Sequence, residues 1–307
     1  MKRCIFCILA SLLVFSSGAM AEEPAGQQSA SVPASGKEPM PDYRQAREWL
    51  QIASSTGDVQ AHYNLGVLYL NGNGQDVPQD YGEAARWFRL AAEQGYARAQ
   101  FNLGLMYDNG QGVPQDYGEA AKWYRLGAVK GHQESQFNLG VMYENGQGVP
   151  QDYGEAVKWY RLAAEQGYVQ AQYNLGVLSL NFNGKGVGEN FAEAAKWFRL
   201  AAAQGNVQAQ YNLAVMYDNG QGVPLDYTEA AMRYALAAER GYAKAQYNLG
   251  VMYLKGKGFR QDIPTAKAWF VKACENGLQE GCAAYRKLKA AQPVESTIRP
   301  LMIVQKR

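Results

Sequence analysis

Histidine is almost missing from this chain: His62 and His132 stand alone in 307 residues, seventy positions apart. A zinc site needs three or four protein ligands, and two distant histidines cannot assemble one. Cysteine is as scarce. Cys4 and Cys7 sit within the first seven residues, which leaves only Cys274 and Cys282 for the rest of the chain. No Ser is followed three residues later by Lys, and neither Ser-Asp-Asn nor Lys-Thr-Gly occurs, so the serine β-lactamase machinery is absent. The glycines follow helices and precede prolines, not the strand-to-helix turn that cradles phosphate. Asp108 and Asp218 stand in Asp-Asn-Gly-Gln-Gly stretches, but a calcium loop needs a different ligand spacing and helix termination explains them. Catalysis by these routes is excluded, and neither a metal nor a cofactor is expected.

An excess of charge is missing too. The chain has 30 basic and 28 acidic residues, and without Lys2 and Arg3 the two match. A neutral, mixed surface argues against nucleic acid or anionic lipid as the main partner. Long apolar runs are lacking as well. The run from Ile5 to Phe15 is too short for a bilayer, which takes about 20 residues. Behind Lys2 and Arg3, and ahead of Ala19-Met20-Ala21, it reads as a signal peptide over 1–21 with cleavage before Glu22. The expected location is periplasmic or secreted, with no membrane insertion after cleavage. Residues 22–41, rich in Pro, Ser, Ala and Gly, read as a flexible linker.

What the chain has in plenty is repetition. Leu65, Leu103, Leu139, Leu175, Leu213 and Leu249 mark one pattern at steps of 38, 36, 36, 38 and 36 residues. Periods of this size belong to solenoids, whose stacked units each need a neighbour to bury their apolar face. Within the second repeat, Ala99, Leu103, Met106 and Tyr107 fall at helical spacing and predict a helix over roughly Ala97 to Asn109. Asn109 to Pro114 ends it, since Gly accepts the left-handed cap and Pro cannot continue a helix. Asp116 starts a second helix, with Glu119 placed to reach back and complete a capping box. The pair recurs as Asp80/Glu83, Asp152/Glu155, Asn190/Glu193, Asp226/Glu229 and, more weakly, Asp262/Thr265, and Asp42 and Gln45 open the first helix the same way. Trp123 and Tyr124 lie on the buried stripe of that second helix. Trp87, Trp159, Trp197 and Trp269 repeat the tryptophan, with Trp49 one unit upstream. Glycine inside a helix, at Gly66, Gly104, Gly140, Gly176 and Gly250, implies close helix approach at each point. Arg233 replaces Trp in the fifth repeat, which is expected to be the loosest. Ser179 and two extra residues before Phe191 weaken the fourth similarly.

The expected organisation is an all-α solenoid: an opening helix at 42–58, six helical hairpins at 59–277, a capping helix at 278–291 and a tail at 292–307. The tail carries an apolar stretch, Pro300 to Val304.

The Asn-Leu-Gly core, paired glycines, Gly-Val-Pro-x-Asp-Tyr, Ala-x-x-Trp and Ala-Ala-x-x-Gly together resemble Sel1-like repeats, a branch of the tetratricopeptide-type hairpins. The match runs from about Gln60 to Gly277. The resemblance implies a right-handed α/α superhelix that binds proteins or peptides, common in bacterial envelopes and host interaction. Some cysteine-rich exported relatives are described as β-lactamase-like or penicillin-binding, which supplies the enzymatic alternative, a β-lactam- or peptidoglycan-acting envelope protein. The stretch from Lys272 to Cys282 resembles the disulfide-linked turns of those relatives. Cys274 and Cys282 either pair, stapling the cap to the array, or stay buried as free thiols.

In related hairpins the first helices line the concave side. That side would present an Asn column, with Asn102, Asn138, Asn174 and Asn212 central, between Asn64 and Asn248. An aromatic column of Tyr63, Phe101, Phe137, Tyr173, Tyr211 and Tyr247 runs beside it. Asn both donates to and accepts from an extended peptide backbone. Its competing role is to satisfy groups between repeats, as the aromatics would if they were core. Charges vary five residues before each repeat Leu (Arg98, Glu134) and five after (Asp108, Glu144, Asp218), which suits partner choice by charge. The sequence therefore reads as a non-enzymatic interaction scaffold for a protein or peptide partner.

Overall fold

Each repeat folds into a hairpin because glycine stops one helix and a short polar side chain starts the next. The protein is described by a computed structural model over residues 43–72, 77–180 and 190–290. Those residues form fourteen helices and no strand. A single helix, α1 (Tyr43–Ser55), precedes six hairpins. They pair α2 (Val59–Asn71) with α3 (Tyr81–Glu93), α4 (Ala97–Asn109) with α5 (Tyr117–Val129), and α6 (Gln133–Asn145) with α7 (Tyr153–Glu165). Then come α8 (Val169–Ser179) with α9 (Phe191–Ala203), α10 (Val207–Asn219) with α11 (Tyr227–Glu239), and α12 (Ala243–Lys255) with α13 (Ile263–Glu275). A last helix, α14 (Gln279–Ala290), packs on α13. Each helix touches chiefly its neighbours in sequence, which is the contact pattern of a solenoid. The signal segment, linker and apolar tail lie outside the described residues. So do Asp42, the side chains of Gln45 and Trp49, and the two extra residues before Phe191.

The loop between paired helices shows why its glycines stand where they do. Gly110 caps α4 in the left-handed region at φ 67°. Gly112 also has positive φ, and a Cβ there would stand 2.1 Å from the Tyr81 carbonyl oxygen of the preceding hairpin. The first glycine ends a helix and the second admits a neighbouring backbone.

The second helices start as expected on one side of the capping box only. The carboxylates of Asp80, Asp116, Asp152, Asp226 and Asp262 accept from backbone N–H groups of the first turn, as does the Asn190 amide oxygen. The reciprocal arm is not made. The Asp116 N–H donates instead to the Tyr107 carbonyl at 3.0 Å, and Asp80, Asp152, Asn190, Asp226 and Asp262 do the same with the first helix of their own hairpins. That tertiary acceptor outcompetes the glutamates, which are free to bind elsewhere: Glu119 to Lys122, Glu155 to the Trp159 indole.

The core centres on the repeat leucines and on the ring that follows the tryptophan position of each hairpin. Leu65 to Leu249 are buried throughout the series, and so are Phe88, Tyr124, Tyr160, Phe198, Tyr234 and Phe270. A Cβ on Gly66, Gly104, Gly140, Gly176 or Gly250 would fall within 2.9 Å of these rings, so glycine is what lets the ring lie flat on the first helix. The tryptophans sit further out. Trp159 and Trp197 are buried and donate to Glu155 and Glu193, whereas Trp123 and Trp269 are only half-buried.

Arg233, in the Trp position of the fifth hairpin, makes the equivalent bond, from Nε to Glu229 at 3.3 Å. The helix that carries it runs its full thirteen residues, so the expected loosening leaves no trace in length or cap. The fourth hairpin does depart. Its first helix has eleven residues and ends at Ser179. Arg89 and Arg125 each donate to a tyrosine of the next hairpin, Tyr107 and Tyr143, but Ser179 holds that repeat position for Arg161, which donates to Glu193 at 2.7 Å.

Neighbouring hairpins are joined by a buried amide column. Gln100, Gln136, Gln172, Gln210 and Gln246 each donate to a carbonyl near the end of the preceding helix, such as Ala92 or Ala128. His62 occupies this slot in the first hairpin, buried, with Nε2 3.2 Å from the Ser54 carbonyl and Nδ1 3.1 Å from Gln94. It is a core residue. His132 does cap, at the start of α6, with Nδ1 accepting from the Ser135 N–H. At the far end Cys274 and Cys282 form a disulfide with Cα atoms 4.6 Å apart, tying α14 to α13.

Candidate functional site: the face of the first helices

Three tyrosines occupy a place that physical chemistry reserves for other residues. Tyr96, Tyr168 and Tyr242 are the N-cap residues of α4, α8 and α12 and make no side-chain cap bond. Replacing a capping Asp or Asn with a residue that cannot cap costs about 1 kcal/mol. Asp58, His132 and Asn206 show that a capping residue fits the same position in the other hairpins. What the tyrosines do instead is pack, edge-on or tilted, against first-helix rings. Tyr96 lies 5.0 Å from the Tyr63 ring, Tyr168 5.1 Å from Phe137, and Tyr242 5.1 Å from Tyr211. His132 lies 5.1 Å from Phe101 in the same way. Each first-helix ring rests in turn on the buried ring of its hairpin, so aromatic groups run from core to surface. The outer members are half-buried, leaving part of each ring accessible along the face.

The asparagine column lies beside these rings and is half-buried throughout. Asn102 stands within hydrogen-bonding reach of the Tyr63 hydroxyl, Asn174 of Tyr160, Asn212 of Tyr173, and Asn248 of Tyr211 and Tyr234. Asn64 accepts from Gln60 one turn earlier. Asn138 holds the same position, but the first-helix ring before it, Phe101, has no hydroxyl to offer. Asn102, Asn174, Asn212 and Asn248 thus link one hairpin to the next while staying half-exposed.

The acidic positions have an internal task that the sequence reading missed. Tyr160 donates to Glu144 at 2.6 Å and Tyr124 to Asp108 at 3.3 Å. Asp218 binds Lys257 at 3.2 Å and adds to the field that, with burial, holds the Tyr234 hydroxyl well above its usual range. Burial pushes the Asp108 carboxyl up and the Tyr124 bond opposes the rise. In the other hairpins the buried ring is Phe88, Phe198 or Phe270, and the acid position is Leu70, Leu180 or Leu254. Tyrosine goes with an acid and phenylalanine with leucine in all six. That pairing between repeats is the signal that could have found it.

The line five residues before each repeat Leu is different. Arg98 is exposed, and among the described residues it makes no ion pair. Its charge reaches the Tyr63 hydroxyl and His132. Glu134 is half-buried and lies 3.5 Å from His132 Nε2. Burial lowers the His132 pKa most, Glu134 opposes, and Arg98 adds to the lowering. Lys244, the counterpart in the last hairpin, is exposed beside a shallow depression of about 300 Å³ lined by Tyr242, Asn276 and Leu278.

The opposite surface, on the second helices, carries Leu90, Leu126, Leu162, Leu200 and Leu236 at one repeat position, each 38–47% exposed. The cations beside them are largely occupied: Arg86 with Glu83, Lys122 with Glu119, Lys158 with Glu155, Arg161 with Glu193. Among the described residues no three His, Cys, Asp or Glu side chains gather as metal ligands, and no helix is long and apolar enough to cross a membrane.

Comparison with known proteins agrees with this architecture. Seven consecutive stretches match the Sel1 repeat, at residues 35–58, 59–96, 97–132, 133–168, 169–206, 207–242 and 243–278. No curated protein matches the chain. Among solved structures it is similar to a protective antigen present in uropathogenic Escherichia coli strains and displaying an SLR fold. That match has 38% identity and a TM-score of 0.79, over 84% of this chain and 54% of the antigen. The chain therefore spans about half the length of that antigen. It is also similar to a Sel1 repeat protein from Oxalobacter formigenes, with 33% identity and a TM-score of 0.61, over 75% of this chain and 91% of the other. Proteins of this kind are generally non-catalytic scaffolds that bind other proteins. With hairpins, caps and matched stretches coinciding along its length, the chain belongs to the Sel1 repeat family.

Proposed function

We propose that the chain is a non-enzymatic scaffold that holds an extended peptide or a partner helix along the face of its first helices. The observation that carries this reading is the set of three N-cap tyrosines, which forgo a cap to place rings on that face. A capping rule broken at three of the six first helices, in favour of ring contacts along one face, supports a role for that face. Half-exposed rings supply apolar area, and the half-exposed amides of Asn102, Asn138, Asn174 and Asn212 supply paired donors and acceptors for a backbone. Arg98 and Glu134 select partners by charge. Asp108 and Glu144 contribute through the tyrosines they hold, and Asp218 through its bond to Lys257. The signal-like first 21 residues place this work in the periplasm or outside the cell, in envelope or host-interaction processes. Likeness to a protective antigen supports that setting. Neither nucleic acid nor a metal cofactor has a part in it.

The test is affinity capture from envelope and culture-medium fractions, with the chain beginning at Glu22 beside a Tyr96→Asn/Tyr168→Asn/Tyr242→Asn variant. Asn already serves at position 206, so the variant should fold with native helical content. A protein retained only by the native face supports the scaffold. Equal retention by both would move binding off this face.

A further inference from the structure

The charges that remain free on the first-helix face form a pattern, and a pattern specifies a partner. Asp108, Glu144 and Asp218 are committed to tyrosines or Lys257, so they offer little to a ligand. At the N-terminal ends of the first helices the series reads Gln60, Arg98, Glu134, Gln170, Gln208, Lys244. Arg98 and Lys244 are exposed and, among the described residues, have no carboxylate in ion-pair range. Glu134 accepts a long bond from neutral Gln133 at 3.4 Å and lies 3.5 Å from His132, whose protonation is disfavoured by burial, so no full cation neutralises it among the described residues. The order along the face is therefore neutral, positive, negative, neutral, neutral, positive.

Resting on the proposed function, we infer that the occupant is an extended peptide with an acidic residue over Arg98, a basic one over Glu134 and a second acidic one over Lys244, neutral between. The first helices of successive hairpins line one face about one helix diameter, roughly 10 Å, apart, and an extended chain rises about 3.3 Å per residue, so one hairpin spans about three residues. The basic residue then falls about three positions from the first acid, and the second acid about twelve positions from it. Tyr242 and Leu278 flank Lys244 in its depression and give the aliphatic stem of that last acidic residue an apolar rest. Like charges in register would be rejected, which is how such a face separates partners of similar shape.

The probe is a synthetic peptide of Gln, Ala and Pro carrying Glu, Lys and Glu at those places, made in both chain directions. Its charge-inverted twin carries Lys, Glu and Lys. Binding to the chain beginning at Glu22 is read by fluorescence anisotropy at low salt. The Glu-Lys-Glu peptide in one direction should bind about tenfold tighter than its twin, a margin that shrinks as salt rises. In an Arg98→Glu/Glu134→Lys/Lys244→Glu variant of unchanged helical content the preference should invert. A preference that the variant retains overturns the assignment, since the charge is then read elsewhere. Equal binding of both peptides, weakened alike by Tyr168→Asn, overturns the charge pattern and leaves the aromatic face standing. If neither peptide binds, the pattern and the peptide-holding face fall together.

Discussion

Glu144 and Tyr160 are sixteen residues apart, on the two helices of one hairpin, and the tyrosine hydroxyl donates to the carboxylate at 2.6 Å. The bond brings a polar group to the edge of a core otherwise built of leucine, alanine and rings. Glu144→Leu alone should leave the buried hydroxyl short of its acceptor and lower stability by about 1–3 kcal/mol. Adding Tyr160→Phe should recover most of that loss, because the pair then copies Leu70/Phe88 and Leu180/Phe198. Urea denaturation of the two single variants and the double gives the coupling directly. Additive losses would show that the bond contributes nothing.

Asp108 extends the same relationship to pH. Burial raises its carboxyl pKa in the folded chain, so the folded state binds protons more tightly there than the unfolded state does. By linkage this group favours the folded state at low pH and opposes it increasingly as pH rises through the carboxylate range. Asp108→Asn keeps an acceptor for Tyr124 and removes the titration. Its melting temperature relative to the native chain should climb between about pH 3 and pH 7. A constant difference across that range would contradict the burial effect.

Gly140 offers a test in which two principles disagree. Helix propensity alone makes Gly→Ala stabilising by up to about 1 kcal/mol. The Cβ would stand 2.7 Å from the Tyr160 ring, however. Overpacking of this kind costs about 1–3 kcal/mol, so Gly140→Ala should destabilise. In the fifth hairpin Ala214 is native and buried in the same cluster as Tyr234, and Ala214→Gly should destabilise as well. Opposite signs from expectation in chemical denaturation would show that the ring moves freely.

Buried Gln100 and Gln210 differ from their counterparts in one atom. Gln136, Gln172 and Gln246 accept at Oε1 from Gln166, Gln204 and Asn276. Where Lys130 and Arg240 stand in that place, their side chains reach the Gly95 and Gly205 carbonyls instead. Oε1 of Gln100 and Gln210 is left without a partner among the described residues. Lys130→Gln should supply it and stabilise by up to about 1 kcal/mol, less the bond it gives up. A lower midpoint in denaturant would mean that the Gly95 bond is the stronger of the two.

Much of this was legible in the residues. Gly110 and Asp116 announced the end of one helix and the start of the next, and Gly140 announced close approach before its ring was known. The rest was hidden for identifiable reasons. Glu119 has the spacing of a capping box, but the Tyr107 carbonyl, on the other helix of the hairpin, could not be seen competing for the same Asp116 N–H. Trp159 drew attention by size, while Tyr160 beside it is the ring that the glycine serves. Asp108 and Glu144 looked like surface charges because their tyrosines lie sixteen residues further on. The pairing of acid with tyrosine was in the sequence all along, but only a comparison of repeats with one another reveals it.

The most direct test of the scaffold is photo-crosslinking from single positions on the two faces. A crosslinking side chain at Asn174 probes the first-helix face, and one at Leu162 probes the leucine row of the second helices. With envelope and culture-medium fractions as the source of partners, the account predicts a discrete adduct from Asn174 that is lost with Tyr168→Asn, and none from Leu162. An adduct from Leu162 alone would contradict it and put the binding surface on the other side of the solenoid.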